Sequence, residues 1–160
     1  MIKKLNKKFI FCLLIFVSLI LISAFIIEYK LDYKPCKLCL YERIPYFLSI
    51  VFLIKILLIK NYDKIALLIL FFLFFISSIL AFYHFGIEQG FFKESLACTT
   101  ENFAETLSKE QLLEQLKQNT LSCKDVDFAV FGFSLAAINA MLSIVLSVIF
   151  IRLFINYGKN

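Results

Sequence analysis

Four long apolar runs constrain this chain more than any other feature. The first, 9–27, holds 19 residues and no charge. As a helix rising about 1.5 Å per residue it spans about 28 Å, close to the hydrocarbon thickness of a bilayer. The second, 44–59, is interrupted only by Lys55; the third, 65–83, is again uncharged; the fourth, 128–155, carries Arg152 near its far end. Backbone in lipid must be helical or closed into a barrel. Barrel strands alternate over about ten residues, and these runs do not alternate. Composition agrees: 61% of residues are hydrophobic and 18% charged, against about 45–50% and about 25% in an average soluble domain. The expectation is an all-α integral membrane protein. Residues 1–160 form a single four-transmembrane-helix bundle with a short outer loop at 28–43 and a long one at 84–127.

The basic residues predict orientation. Met1–Lys8 carries four lysines like the n-region of a signal peptide, but the following apolar stretch exceeds 7–15 residues and no A-x-A site follows, so an uncleaved helix is expected. Four crossings put both termini on one side. That side gathers Lys3, Lys4, Lys7, Lys8, Lys60, Lys64, Arg152 and Lys159 against Asp63, whereas the long loop has four Lys against eight acids. The positive-inside rule places the termini in the cytoplasm. The net charge of +5 is then a topology signal and requires no nucleic-acid partner. All seven tyrosines (29, 33, 41, 46, 62, 83 and 157) fall near expected boundaries with the lipid bilayer, where an amphipathic ring is favoured. Lys55, one turn from the end of its run, is expected to extend its charge to the interface.

Within the long loop, Thr99 to Asn119 carries helical signals: Ser108 to Gln111 matches a capping box, and Leu112, Leu113 and Leu116 share a face. An amphipathic helix on the bilayer surface and a soluble helical turn packed on the bundle fit equally. In the fourth run Gly132, Ala136 and Ala140 recur every four residues, a spacing that lets helices approach closely. Asn139 beside them is expected to hydrogen-bond within the bundle.

Four of the five cysteines fall in the outer loops: Cys36 and Cys39 as a C-x-x-C in the short one, Cys98 and Cys123 in the long one. Disulfides persist in oxidising compartments. A C-x-x-C is either a redox pair or half a zinc site. Zinc ribbons usually repeat the motif, and here the second pair is widely spaced with no Asp/His cluster to complete a set, so no metal is assigned. A structural disulfide is plausible for Cys98–Cys123, where loop closure is worth about 3–4 kcal/mol in the chain-entropy model. It explains Cys36–Cys39 poorly, because so small a ring constrains little. Lys37, Arg43 and a helix expected to begin just after Cys39 would lower a thiol pKa there, which favours redox chemistry. Cys12, between Phe11 and Leu13 in the first run, is expected to be an inert small hydrophobe.

A dithiol oxidised repeatedly needs an electron acceptor. The sequence has no haem C-x-x-C-H, no dinucleotide fingerprint and no room for a flavin domain. A lipid-soluble two-electron carrier, a quinone, fits. Its oxygen gains negative charge on reduction and needs a cationic donor. Arg43, one helical turn after Cys39 at the membrane boundary, is the candidate; an interfacial anchor is the plainer alternative. His84, the only histidine, closes the third run. It is either a donor to the quinone or proton carrier, or an interfacial residue with no role. Glu42 is expected to be solvated or paired with Arg43.

The segment Cys36-Lys-Leu-Cys39-Leu-Tyr41-Glu42-Arg43-Ile-Pro45-Tyr46 resembles the C-x-x-C-x-Y-E-R-x-P-Y segment of the DsbB family. Residues 81–88, and Cys123 followed by Phe131 to Leu135, resemble members of that family as well. The likeness extends over nearly the whole chain: four spans, two cysteine pairs in order and a long second outer loop. It implies a bacterial inner-membrane enzyme that reoxidises a DsbA-like periplasmic thioredoxin-fold oxidase and passes the electrons to ubiquinone or menaquinone. The implied route runs from the partner to Cys98 of a Cys98–Cys123 disulfide, from Cys123 to Cys36, and from Cys39 to the quinone, with Arg43 helping to bind it. The chain departs from the family in a Glu/Lys/Gln-rich segment between Cys98 and Cys123. Three other readings compete. A vitamin K epoxide reductase-like enzyme would place its loop cysteines before the C-x-x-C. A non-enzymatic assembly factor would use its disulfides structurally. A metal transporter would carry carboxylates or histidines within its spans.

Overall fold

The computed structural model describes residues 6–59, 63–93, 123, 129, 130 and 132–157. Among them, four helices form an all-α bundle: α1 (Lys7–Lys30), α2 (Lys37–Leu58), α3 (Asp63–Glu88) and α4 (Leu135–Asn156). α1 packs on α2, α2 on α3 and α3 on α4, the last pairing being the most extensive. Three helices, α1, α3 and α4, are long and apolar enough to cross a membrane. α2 is different. It has 22 residues, but Lys37, Glu42 and Arg43 occupy its first two turns and Lys55 its last. The expected four-span bundle is therefore seen as four packed helices, three of which have the length and apolarity of a crossing.

Helix ends explain where the elements depart from the apolar runs. α2 begins seven residues before the expected 44, because Cys36 adopts extended backbone (φ −68°, ψ 166°) and caps it. α4 begins seven residues after the expected 128. Ala129–Val130 instead pairs antiparallel with Phe133–Ser134, turning through Gly132 at φ +84°, a conformation glycine adopts at little cost. The Ser134 hydroxyl then caps α4 by accepting from the Ala137 N–H at 3.2 Å. Gly132 thus precedes the helix, while Ala136 and Ala140 are helical and buried. At the far end of α3, the N–H groups of Phe91 and Phe92 donate to the Gly86 carbonyl at 2.8 and 3.1 Å. This fold-back lays the Phe92 ring against Tyr83 at 5.6 Å. The expected helix at 99–119 lies outside the described residues.

The core runs along the inner faces of the helices. Val17, Leu53, Leu67, Leu70, Phe74, Leu146 and Phe150 are fully buried. Phe74 stacks on Phe150 (5.6 Å, 13°) and meets Tyr46 edge-on (5.4 Å, 83°). Ile76, Phe82, Met141 and Val145 point outward, as residues of a lipid-facing surface do. Cys12 also lies on the exposed surface of α1, about 24 Å along the helix axis from Glu28. Between these shells runs a hydrogen-bonded polar ladder. The Tyr46 hydroxyl donates to Asn139 Oδ1 and lies 3.5 Å from Ser143 Oγ, which is 3.2 Å from Ser77 Oγ. Such bonds hold helices together where lipid removes the hydrophobic drive between them. Tyr46 is therefore a core residue and not the boundary anchor its position suggested, while Asn139 bonds within the bundle as expected. Lys55 reaches Asp63 at 3.4 Å, at the short connection between α2 and α3.

Phe74→Ala would leave a void facing two rings, at a cost of about 3 kcal/mol. A clear drop in the thermal midpoint of the detergent-solubilised protein is expected. Ile76→Ala, on the outward face, should change it little.

Candidate active site at the start of α2

Cys36 and Cys39 occupy the N-cap and first turn of α2. The helix does not begin after Cys39, as the apolar pattern suggested. The Cys36 sulfur instead accepts the Cys39 backbone N–H at 3.1 Å, in the place where a serine or aspartate oxygen commonly caps a helix. Both cysteines are free thiols, whereas Cys123 is disulfide-bonded. Cys36 and Cys123 are buried in one cluster with Leu38 and Ile87, and Cys39 packs against it. The fold thus brings the C-x-x-C together with a cysteine 84 residues after Cys39. Cys98 lies outside the described residues.

His84, from the last turns of α3, enters this cluster. It is 3% exposed. Its Nδ1 is 2.9 Å from Glu42 Oε1, its Nε2 is 3.5 Å from Cys36 Sγ, and Glu88 Oε1 lies 3.8 Å from the same Nε2. With the Nδ1 proton directed at Glu42, Nε2 is left to exchange a proton with Cys36. Glu42 is neither solvated nor paired with Arg43. It is buried, and its second oxygen accepts from Asn139 Nδ2 at 2.7 Å. Arg43 pairs with Glu28 and lies over the Phe25 ring at 5.1 Å. Sequence reasoning undervalued Glu42 and Glu88. Their positions, three residues after Cys39 and four after His84, put each one helical turn from a site residue, and that was the available signal.

These groups act together on Cys36. A hydrogen bond with the Cys39 side chain holds the Cys36 thiol well below the ordinary range, and His84 and the Cys39 backbone N–H pull the same way, overcoming the opposing effect of burial. Thiolate, the nucleophilic form, is thereby favoured at neutral pH.

Beside the thiols lies a cavity of about 240 Å³, lined by Cys36, Cys39, Arg43, His84, Glu88 and Cys123 at its polar end. Its remaining walls are apolar residues of α1 (Ile20, Leu21, Ile27) and of α4 (Leu135, Ile138, Leu142). Among the described residues, Glu88 Oε2, buried there, finds no hydrogen-bond partner. A flat carbonyl-bearing ring with a hydrocarbon tail suits both ends of this space.

A family model described as Disulfide bond formation protein DsbB matches residues 6–153. The chain belongs to the DsbB family. Members are quinone-dependent thiol oxidoreductases that link a periplasmic DsbA-type oxidase to the membrane quinone, and this chain is such an enzyme, a multi-pass protein of the inner membrane. A relative in Rickettsia prowazekii (strain Madrid E), named Uncharacterized protein RP370, is 33% identical over 99% of this chain and 94% of its own length. No solved structure matches.

Because the Cys36 pKa is depressed, thiolate persists as pH falls from 9 to neutral and is lost only on further acidification through the lowered value. The iodoacetamide rate at Cys36 of the reduced protein should therefore stay nearly flat over pH 7–9, where an ordinary thiol loses about tenfold per unit once below its pKa of about 8.5. Cys39→Ala, which removes the largest lowering influence, should move the inflection upward. A profile for the parent protein that already inflects near an ordinary thiol would contradict this.

Proposed function

We propose that the Cys36–Cys39 couple is the internal electron exit of this DsbB-family enzyme, fed by Cys123 and drained at the cavity beside Cys39. The shared burial of Cys36 and Cys123 carries this reading. A reduced thioredoxin-fold oxidase attacks Cys98, and a mixed disulfide forms as Cys123 leaves as thiolate. Cys123 attacks Cys36 of the Cys36–Cys39 disulfide and releases Cys39. The partner's second thiol resolves the mixed disulfide, and freed Cys98 reclaims Cys123. The net result is an oxidised partner, a restored Cys98–Cys123 disulfide and a Cys36–Cys39 dithiol.

Ubiquinone or menaquinone, when bound, supplies the acceptor for the two electrons and two protons lost as the dithiol closes again. The chain's own residues prepare this step. Cys39 and Arg43 both line the cavity, which supports the reading that Arg43 holds a ring oxygen with a charge-assisted bond. His84 and Glu42 act together on the Cys36 proton, which favours the proton-carrying role for His84. The apolar walls from α1 and α4 accommodate the tail.

The membrane reading is four crossings in a single domain, both termini cytoplasmic and the two outer loops periplasmic. It is supported by the four lysines of residues 1–8, with Lys60, Lys64, Arg152 and Lys159 on the same expected side, and by the packing of α2 among three helices long enough to cross. α2 would then enter the interface with Glu42 and Arg43 satisfied by protein partners.

Three measurements test the proposal. With reduced partner and a soluble quinone analogue, Cys36→Ser in detergent should lose turnover, whereas a protein with only structural disulfides would keep whatever activity it had. Arg43→Ala should raise the KM for quinone about tenfold or more, as expected for a lost charged hydrogen bond of roughly 1.5–3 kcal/mol, with less effect on the KM for the partner. In Cys123→Ser, the free Cys98 thiol should open the disulfide of oxidised partner and hold it as a mixed disulfide that mass spectrometry can identify. Full turnover in Cys36→Ser would refute the route.

A further inference from the structure

We propose that the reduced Cys36–Cys39 couple, with His84, is a binding site for a thiophilic divalent cation of the zinc class, present only while the couple is a dithiol. The spacing of the C-x-x-C gave no completing ligand in the sequence. The fold supplies one, since α3 delivers His84 so that the two sulfurs and a ring nitrogen all lie within 4.8 Å of one another.

One edge of the site has the length that tetrahedral coordination requires. With Zn–S of about 2.3 Å and Zn–N of about 2.0–2.1 Å, a sulfur and a nitrogen on one tetrahedron are about 3.6 Å apart. Cys36 Sγ and His84 Nε2 are separated by 3.5 Å. The other ring nitrogen is held by Glu42 at 2.9 Å, the carboxylate–histidine arrangement that fixes a metal-binding imidazole with its free nitrogen facing the ion. Glu42 is in turn anchored by Asn139. Glu88 Oε1 lies 3.8 Å from His84 Nε2 but outside the group of three whose ligand atoms are all within 4.8 Å of one another, so the fourth position is left to a water.

Charge points the same way. Two thiols able to ionise and two buried carboxylates surround one imidazole, while the nearest guanidinium, Arg43, is engaged by Glu28. A dication would relieve this excess of negative charge. Binding involves no electron transfer: the two sulfurs bond the ion, any protons they carry are released, and His84 binds through neutral Nε2. Closing the Cys36–Cys39 disulfide removes both thiolates, so the oxidised couple has no such site. A bound ion would occupy the sulfur lone pairs needed for exchange and hold the enzyme in its reduced state.

The test uses the full chain in detergent, with Cys12, Cys98 and Cys123 changed to Ser so that Cys36 and Cys39 are the remaining thiols. Circular dichroism confirms that its helices are retained. After phosphine reduction, Zn2+ should bind one ion per chain, and Co2+ should give the visible absorption of a tetrahedral thiolate site. The diamide-oxidised protein should bind none. Glu42→Gln should weaken Zn2+ by roughly 10–100-fold with the ligands intact, and His84→Ala should abolish the tetrahedral Co2+ spectrum. No Zn2+ on the reduced chain, equal Zn2+ on both redox forms, or an unchanged Co2+ spectrum in His84→Ala would overturn the proposal. These readouts need neither partner nor quinone. A failed metal site is thus separable from a failed electron route.

Discussion

The buried carboxylate of Glu42 is the point at which three helices meet. One oxygen faces His84 of α3 and the other accepts from Asn139 of α4, while the side chain itself belongs to α2. A charge in this position is costly unless every lone pair has a partner. That requirement fixes the register of α3 and α4 against α2 more tightly than apolar packing alone. The polar ladder through Tyr46, Ser143 and Ser77 continues the constraint toward the middle of the bundle. Everything at the thiol end follows: His84 is aimed at Cys36 because its opposite nitrogen is already committed.

The same arrangement explains how a helix terminus becomes a reactive site. Cys36 performs a capping task usually given to oxygen, and the Cys39 N–H it accepts favours negative charge on its sulfur. Fold and chemistry share this hydrogen bond. It begins α2 well before the apolar run, draws Glu42 and Arg43 into helical register, and leaves Cys39 one turn in, beside the cavity.

Much of this was legible in the sequence, for identifiable reasons. Apolar run length located the helices, because lipid permits few alternatives, and the C-x-x-C marked the cysteine pair that the fold buries with Cys123. Helix starts were misjudged at 36 and 134 because hydropathy records burial in lipid and is blind to the caps at Cys36 and Ser134. Tyr46 was misplaced for a similar reason: its hydroxyl finds Asn139 inside the bundle, and no one-dimensional pattern reports a partner 93 residues away. The role of Glu42 escaped because adjacency to Arg43 suggested a pair. Successive helical residues point about 100° apart, and the two side chains took different partners.

Gly86 sits under Phe92, and a methyl group built on it would fall 2.2 Å from the ring. The ring in turn rests on Tyr83, and the chain departs from α3 over this small stack. The vacancy at 86 and the aromatic at 92 therefore constitute one fitted joint. A homologue that acquires a side chain at the first position should have shed the bulk at the second, so the two columns of a family alignment should change in concert.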